Sequence, residues 1–520
     1  VPYLPTDAEI SLRDIFLLTA PEAFLLALAC CIYLGGTVWK NRHLWAAVSL
    51  VGLGIAFVLF WNRVPSGKVL PMVSPLWLDE LAELVHLIAF VGGAILVLLF
   101  WETVSDEQAA DFHACALILV NGLALLGAAN DLITIFLALE LISIPTYILL
   151  YLPRVGARPQ EAAVKYFLLS IFSSALFLFG LSYLYGAHGK TNLMELFTAQ
   201  YARGDAVSGL TVIALVMVVA GLGFRITAVP FHFYAPDVFE GAPTSVAAML
   251  AFVPKVAGFT ALVRLLGFMH GPKVGLVADA NLAQLFWLLA AITMTAGNIL
   301  ALLQDNLKRI LAYSSVAHGG YMLIGLAAAP NLRTTGARGL HGTEAVFFYL
   351  IAYGAMTIGA FAVLSYLRTP QREVETVDDL AGVGRTQPLV ALAMSVFLFS
   401  LIGLPLTAGF SGKFLLFMSA IEAGSPEAEN RGLFIALAVI GALNAAISAY
   451  YYLRIVAAMY LRDAIKPLRP VFQIPAPLAI VVCLGLTIAL GVYPTPVVHY
   501  VRNALTGGYV GPPAKTAAMR

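Results

Sequence analysis

Apolar residues run along this chain in stretches of about twenty, broken by short polar segments. Roughly twenty such residues make a helix long enough to cross a bilayer's hydrocarbon core. Runs near 18–36, 43–61, 82–102, 110–128, 130–152, 161–186, 208–228, 244–267, 283–303, 307–328, 343–368, 388–407, 432–462 and 475–496 therefore predict an all-α membrane protein with about 14 transmembrane helices. Two further apolar pieces, near 230–241 and 409–423, follow Pro230 and Pro405 and are too short to span alone. They read as the second halves of broken helices. Backbone can leave the helix at membrane depth only where protein or water satisfies its polar groups, so such a break carries functional meaning.

The two interruptions, AVPFHFYAPDVFEGAP and GLPLTAGFSGKF, each come late in a block of five spans. The expected organisation is three N-terminal helices over 1–109, a first five-helix repeat over 110–267, a second over 283–462, and a last helix and tail over 463–520. An odd number of spans per block turns the second block upside down, the signature of an inverted-repeat transporter. An even total puts both termini on one side. Loops on the other side hold more Lys and Arg, among them Arg154, Lys466 and Arg469, which favours termini outside.

Composition narrows the class. Of 520 residues, 60% are hydrophobic and 11% charged, against about a quarter charged in a water-soluble domain. A net charge of +1 offers no basic face, so no nucleic-acid partner is expected. Cys30, Cys31, Cys115 and Cys483 lie in apolar runs without CxxC or Cys/His spacing, and no GxGxxG follows a strand. No cofactor, metal site or disulfide is indicated. Residues 1–17 carry Asp7, Glu9, Asp14 and a single Arg13, unlike a cleavable leader, so the first apolar run reads as a permanent span.

Charges at membrane depth are the candidate chemistry. Asp131 opens the fifth span and Glu140 lies nine residues on, about 14 Å along the helix. Lys255 has a similar depth in the eighth span, directly after Pro254, and His318 is central in the tenth. Lys165 is in the first turns of the sixth span, Arg225 precedes the Pro230 break, Lys413 follows Pro405 by eight residues, and His232 follows the first break. A lone charge at mid-bilayer costs about 2.5–3.5 kcal/mol or more, so several together imply pairing or a hydrated interior. One reading is a structural pair between Glu140 and a nearby Lys or Arg, with Arg225 a candidate fixed positive partner. The other is a proton path in which a desolvated lysine loads and unloads. His318 reads equally well as a polar packing residue and as a member of a proton relay, and the Lys308–Arg309 pair reads first as a basic loop end flanking a span, with a relay role second. Tyr349 and Tyr353 share a helical face and read as packing, Tyr450, Tyr451 and Tyr452 could line water, and Asp237 and Glu240 read as caps of backbone amides.

The strings FLALELISIPTYIL, EAAVKYFLLS, GFRITAVPFHFYAPDVFEGAPT, FVPKVAGF, QDNLKRILAYSSVAHGGYMLIG and GLPLTAGFSGKF resemble, in collinear order over about 80–460, the N subunit (subunit 2) family of respiratory complex I, NADH:quinone oxidoreductase. PDVFEGAPT is closer to that subunit than to its antiporter-like siblings L and M. The resemblance implies fourteen helices, inverted five-helix repeats, and breaks in the seventh and twelfth. It makes Glu140, Lys165, Lys255, His318 and Lys413 counterparts of the family's proton-path residues. Arg225 stands where lysine is common, and an arginine does not release a proton in this range, so there it sets charge. The implied function is proton translocation driven by quinone reduction elsewhere in the complex, with no catalytic site on this chain, K- and M-type subunits as neighbours, and a bacterial inner membrane as location. A subunit of a multisubunit sodium/proton antiporter is the alternative, and a solute permease a third class disfavoured by the absence of a compact pocket.

Overall fold

The computed structural model describes residues 16–63, 74–153, 156–196, 208–267, 275–334, 342–368, 373–424, 431–463 and 474–506. Residues 1–15 and the loop cations Arg154, Lys466 and Arg469 lie outside them. The described chain is helical, with only isolated β-bridges. In order the helices are α1 Ala20–Gly35, α2 Arg42–Arg63, α3 Glu80–Phe100, α4 Ala109–Ala128, α5 Leu132–Tyr151, α6 Ala157–His188, α7 Gly209–Arg225, α8 Ala235–Gly241 and α9 Thr244–Gly267. They continue as α10 Gly275–Leu302, α11 Leu307–Thr334, α12 Gly342–Leu367, the single turn α13 Val383–Thr386, α14 Pro388–Ile402, α15 Ala408–Ala423, α16 Arg431–Leu461, α17 Pro475–Val492 and α18 Thr495–Thr506. Among the described residues eleven helices are long and apolar enough to cross a membrane, and α1, α7 and α14 are shorter apolar helices.

Helix starts follow the polar residues between the apolar runs. Asp79 caps α3 by accepting from Ala82 N, and Asp131 caps α5 by accepting from Ile133 N, both at 2.8 Å. Ser208 does the same for α7. Helices α9 and α11 are surrounded by protein along their apolar length and α12 nearly so, whereas α6, α16 and α17 keep an open apolar face. A helix apolar all round belongs at the centre, and these three form it. Helices α10 and α11 approach closely because Gly297 and Gly320 lack side chains: a Cβ on either would lie 2.6 Å from backbone nitrogen of the facing helix, at Ala317 and Met294 respectively.

The same small motif occurs twice. Where α4 passes into α5, Leu132 N donates to Thr191 O (2.9 Å) and Leu193 N to Asn130 O (3.0 Å). Where α10 passes into α11, Leu307 N donates to Glu375 O (2.7 Å) and Val377 N to Asp305 O (3.1 Å). Asp131 and Asn306 hold the matching position, each capping the helix that follows. The two helix breaks also share a feature. Thr227 (φ 57°) and Leu406 (φ 68°) are the positive-φ non-glycine residues among those described, one at each break. Such a conformation costs about 1–3 kcal/mol and persists only where its surroundings fix it.

The spans predicted at 208–228 and 388–407 end earlier, at Arg225 and Ile402, because the chain leaves the helix before each proline. The predicted half-helix at 230–241 is helical only over Ala235–Gly241, residues 231–234 forming turns. Helix α18 was not anticipated. It is amphipathic, and its Arg502 reaches the buried Glu344 at 3.2 Å.

Candidate functional site

Helix spacing collects the polar side chains of the first half into one stripe. On α5, Glu140, Ser143 and Tyr147 fall at i, i+3 and i+7 and so share a face. On α6, Ser170 and Ser174 face them: Tyr147 donates to Ser170 Oγ (2.8 Å) and Ser174 to Glu140 Oε1 (2.6 Å). Arg225, the last residue of α7, enters this stripe. Its guanidinium donates to Ser143 Oγ at 2.8 Å and to Glu140 Oε1 and Ser174 Oγ at 3.4 Å. The expected Glu140–Arg225 pair is thus formed, with Arg225 buried and the Glu140 side chain 22% exposed. The guanidinium reaches Ser143 and Glu140 with separate arms. Arg225→Lys is expected to keep the charge pairing and most of the proton translocation that the resemblance implies, while Arg225→Ala, which leaves Glu140 without its cation, loses far more. Equal losses in sealed vesicles would mean that the fork geometry, and not the charge, is what matters.

Lys255 lies on α9, 1% exposed. Two of its three donors are placed, on Thr227 Oγ1 (2.9 Å) and Ser315 Oγ (2.6 Å). Ser315 also accepts from Tyr353 OH at 2.9 Å. One turn further along α11, His318 is held between two phenols, Tyr349 OH at 2.6 Å from Nδ1 and Tyr452 OH at 3.2 Å from Nε2. A hydroxyl can donate or accept, so this setting accommodates either neutral tautomer and the imidazolium. The His318 ring packs 5.2 Å from that of Tyr353 and edge-on to Tyr321 at 5.6 Å. Lys413 then sits 4.6 Å over the Tyr321 ring and donates to Leu401 O (2.9 Å) and Ile402 O (3.0 Å). Those are carbonyls released where α14 breaks, at the negative end of a helix, which suits a cation.

A line of buried groups thus runs from Arg225, beside the partly exposed Glu140, past Lys255 and His318 to Lys413. Ser315, Tyr353, Tyr349, Tyr452 and Tyr321 join its charged members. The sequence carried a signal for them: Ser315, His318 and Tyr321 repeat at three-residue steps on α11, and Tyr349 and Tyr353 lie one turn apart on α12. The reading of those tyrosines as packing missed their hydroxyl contacts. Tyr451 donates to Asn298, whereas Tyr450 faces outward.

Lys165 is elsewhere. Its side chain is 39% exposed and bonds Glu161 (2.7 Å) and Asp237 (2.8 Å) at a cleft of about 190 Å³ lined also by Arg158 and Glu240. Arg309 reaches the same cluster, 2.9 Å from Asp237 and 2.8 Å from Glu240. Asp237 and Glu240 therefore bind cations and do not cap amides, since α8 has no side-chain cap bond. Lys308 is not an exposed helix end either: it is buried and donates to Ala242 O at 2.8 Å. No hydrogen bond among the described residues joins His232 to the buried line, and those residues hold no group of metal-ligating side chains.

Residues 129–441 match the NADH:quinone oxidoreductase/Mrp antiporter transmembrane family, and the chain belongs to it. Within that family it is similar to NADH-quinone oxidoreductase subunit N of Trichlorobacter lovleyi, 38% identical with 88% of this chain and 89% of that one covered. It is also similar to the protein of the same name from Rhodospirillum rubrum, 39% identical with 86% and 88% covered. Among solved structures, respiratory complex I from Thermus thermophilus with bound Aureothin contains a chain matched with TM-score 0.75 at 32% identity, covering 92% of this chain and 98% of that one. A chain of the Mrp complex from Dietzia sp. shares the fold, with TM-score 0.79 at 19% identity and 94% and 97% covered.

Proposed function

We propose that this chain is a proton-translocating membrane subunit of an NADH–quinone oxidoreductase, coupling quinone reduction elsewhere in the complex to proton movement along the buried line. The observation that carries the reading is the succession Lys255, Ser315, Tyr353, His318, Tyr321 and Lys413, joined by hydrogen bonds and ring contacts across α9, α11, α12 and α15. Burying an isolated ammonium is expensive, and two of them, Lys255 among hydroxyls and Lys413 between helix-end carbonyls and an aromatic ring, suit groups that exchange a proton better than groups that hold a fold together. Glu140, Arg225, Lys255, His318 and Lys413 are the working residues of this proposal, Lys165 belonging to its solvent-facing entrance.

The eleven long spans and the shorter α1, α7 and α14, the last two continued by α8 and α15, supply fourteen crossings. The paired junction motifs at Asp131 and Asn306 and the paired breaks support two inverted repeats over 110–267 and 283–462, after three N-terminal helices over 1–109 and before a last helix and tail over 463–520. Both termini lie outside in this arrangement, within a bacterial inner membrane. Open apolar faces on α6, α16 and α17 suit lateral neighbours of the K and M type.

Gentle solubilisation followed by identification of the copurifying subunits tests the assignment. Recovery with NADH-oxidising and iron–sulfur subunits is the expected result. Recovery with small antiporter subunits alone would replace it with a sodium/proton antiporter.

A further inference from the structure

We propose that Thr227 positions the Lys255 ammonium and couples it to the Glu140–Arg225 pair, an inference that rests on the proton-translocating role given above. Three observations meet at this residue.

The first is its backbone. At φ 57°, Thr227 occupies the left-handed region that a β-branched residue avoids and that glycine, asparagine or aspartate would tolerate better. Strain of this kind is kept where a side chain is needed in one particular place. The second is its hydroxyl. Thr227 Oγ1 donates to Ile226 O at 2.6 Å, and with that hydrogen committed it meets Lys255 Nζ, 2.9 Å away, as an acceptor. Thr227 can therefore hold the charged amine but cannot receive its proton without giving up its own bond. Ser315 carries no such commitment to a backbone carbonyl and stands next to Tyr353. Thr227 is therefore the fixed side of the Lys255 site, and Ser315, which accepts from both Lys255 and Tyr353, is the side whose hydroxyl hydrogen is not committed to the backbone.

The third is connection. Thr227 follows Arg225 by two residues, and Ile226 between them is wedged. A Cβ on Gly258 of α9 would lie 2.5 Å from Ile226 Cγ2, and one on Gly319 of α11 would lie 2.7 Å from Ile226 O. No slack loop separates the Arg225 backbone from Thr227. A shift of the Arg225 backbone is carried through Ile226 to Thr227 Oγ1 and so to its hydrogen bond with the charged Lys255. Such a bond is worth about a tenfold change in an equilibrium.

The test uses the assembled complex in sealed vesicles. Thr227→Val keeps shape and β-branching but removes the acceptor, Thr227→Ser keeps the hydroxyl, and Thr227→Gly removes both hydroxyl and strain. Expected results are normal assembly of all three and coupled proton translocation reduced about tenfold in the valine and glycine variants. The serine variant should be largely restored. Adding Thr227→Val to Arg225→Ala should cost little more than Arg225→Ala alone, because both act through one bond. Wild-type translocation by an assembled valine or glycine variant would overturn the proposal, as would a serine variant as impaired as valine. If the valine protein does not assemble, the glycine protein decides. Lys255→Ala, run in parallel, separates the two levels: unimpaired translocation there removes the proton-path reading itself, whereas an inactive Lys255→Ala beside a normal Thr227→Val removes only the role of Thr227.

Discussion

Lys255→Ala and Lys255→Arg are both expected to abolish coupled proton transfer while the complex still assembles. The alanine variant removes charge and titrating group together and leaves the hydroxyls of Thr227 and Ser315 facing an emptied site. The arginine variant keeps a cation there, but a guanidinium does not give up its proton at any pH the protein meets. A path that requires Lys255 to release a proton therefore fails in both, and a residue acting in proton transfer is typically worth about a hundredfold or more in rate. Lys255→Met separates shape from charge, since its chain fills nearly the same volume. It should assemble and fail like the alanine variant. The measurement is the pH gradient formed across sealed vesicles during quinone reduction, with assembly checked by native electrophoresis. Normal pumping by the arginine variant would show that Lys255 serves only as a fixed charge.

The charged half of this site was legible in the sequence because charges stand out against an apolar run. Glu140, Arg225, Lys255, His318 and Lys413 were each visible for that reason, and the structure brings them to one line. The hydroxyl half was not. Tyr349, Tyr353 and Ser315 are ordinary occupants of a membrane helix interior, and only the packing of α9, α11 and α12 against each other turns their oxygens toward Lys255 and His318. The breaks were found from Pro230 and Pro405, but the residues that bend the chain are Thr227 and Leu406 with Gly403, whose left-handed conformation no residue type announces except the glycine. Lys165, read in the first turns of the sixth span, opens onto a cleft where Glu161 and Asp237 partner it. Apart from Glu140 and Arg225, both visible as charges at membrane depth, ion pairs between distant segments were beyond reach for a different reason. Their partners lie in separate spans and the sequence offers no spacing that links them, as with Arg63 and Glu22, on α2 and α1.

Arg264 and Asp79 form the most deeply buried of these distant pairs, and Arg264→Ala is expected to destabilise the subunit by about 3–5 kcal/mol, the cost of leaving a buried charge without its partner. Both side chains are enclosed, at 0% and 3% exposure. The guanidinium meets the carboxylate with both arms, Nη1 at 2.6 Å from Oδ2 and Nη2 at 2.5 Å from Oδ1, and its Nε donates to Gly127 O at 3.0 Å. One side chain from α9 thus ties the start of α3 to the end of α4, joining the N-terminal helices to the first repeat proposed here. Removal strands the Asp79 carboxylate, which must also keep capping α3 at Ala82 N. Asp79→Asn preserves that cap and removes the charge, so Arg264→Met combined with Asp79→Asn should recover much of the stability lost by Arg264→Met alone. Thermal unfolding of the purified complex, followed by the loss of this subunit on native gels, reads the effect. Coupled pumping per assembled complex should stay near wild type in all of these variants, because Arg264 acts through Asp79 and Gly127, neither of which belongs to the proposed proton line. A loss below about 1 kcal/mol for Arg264→Ala, the range of an exposed pair, would mean that this contact does not hold the two parts together.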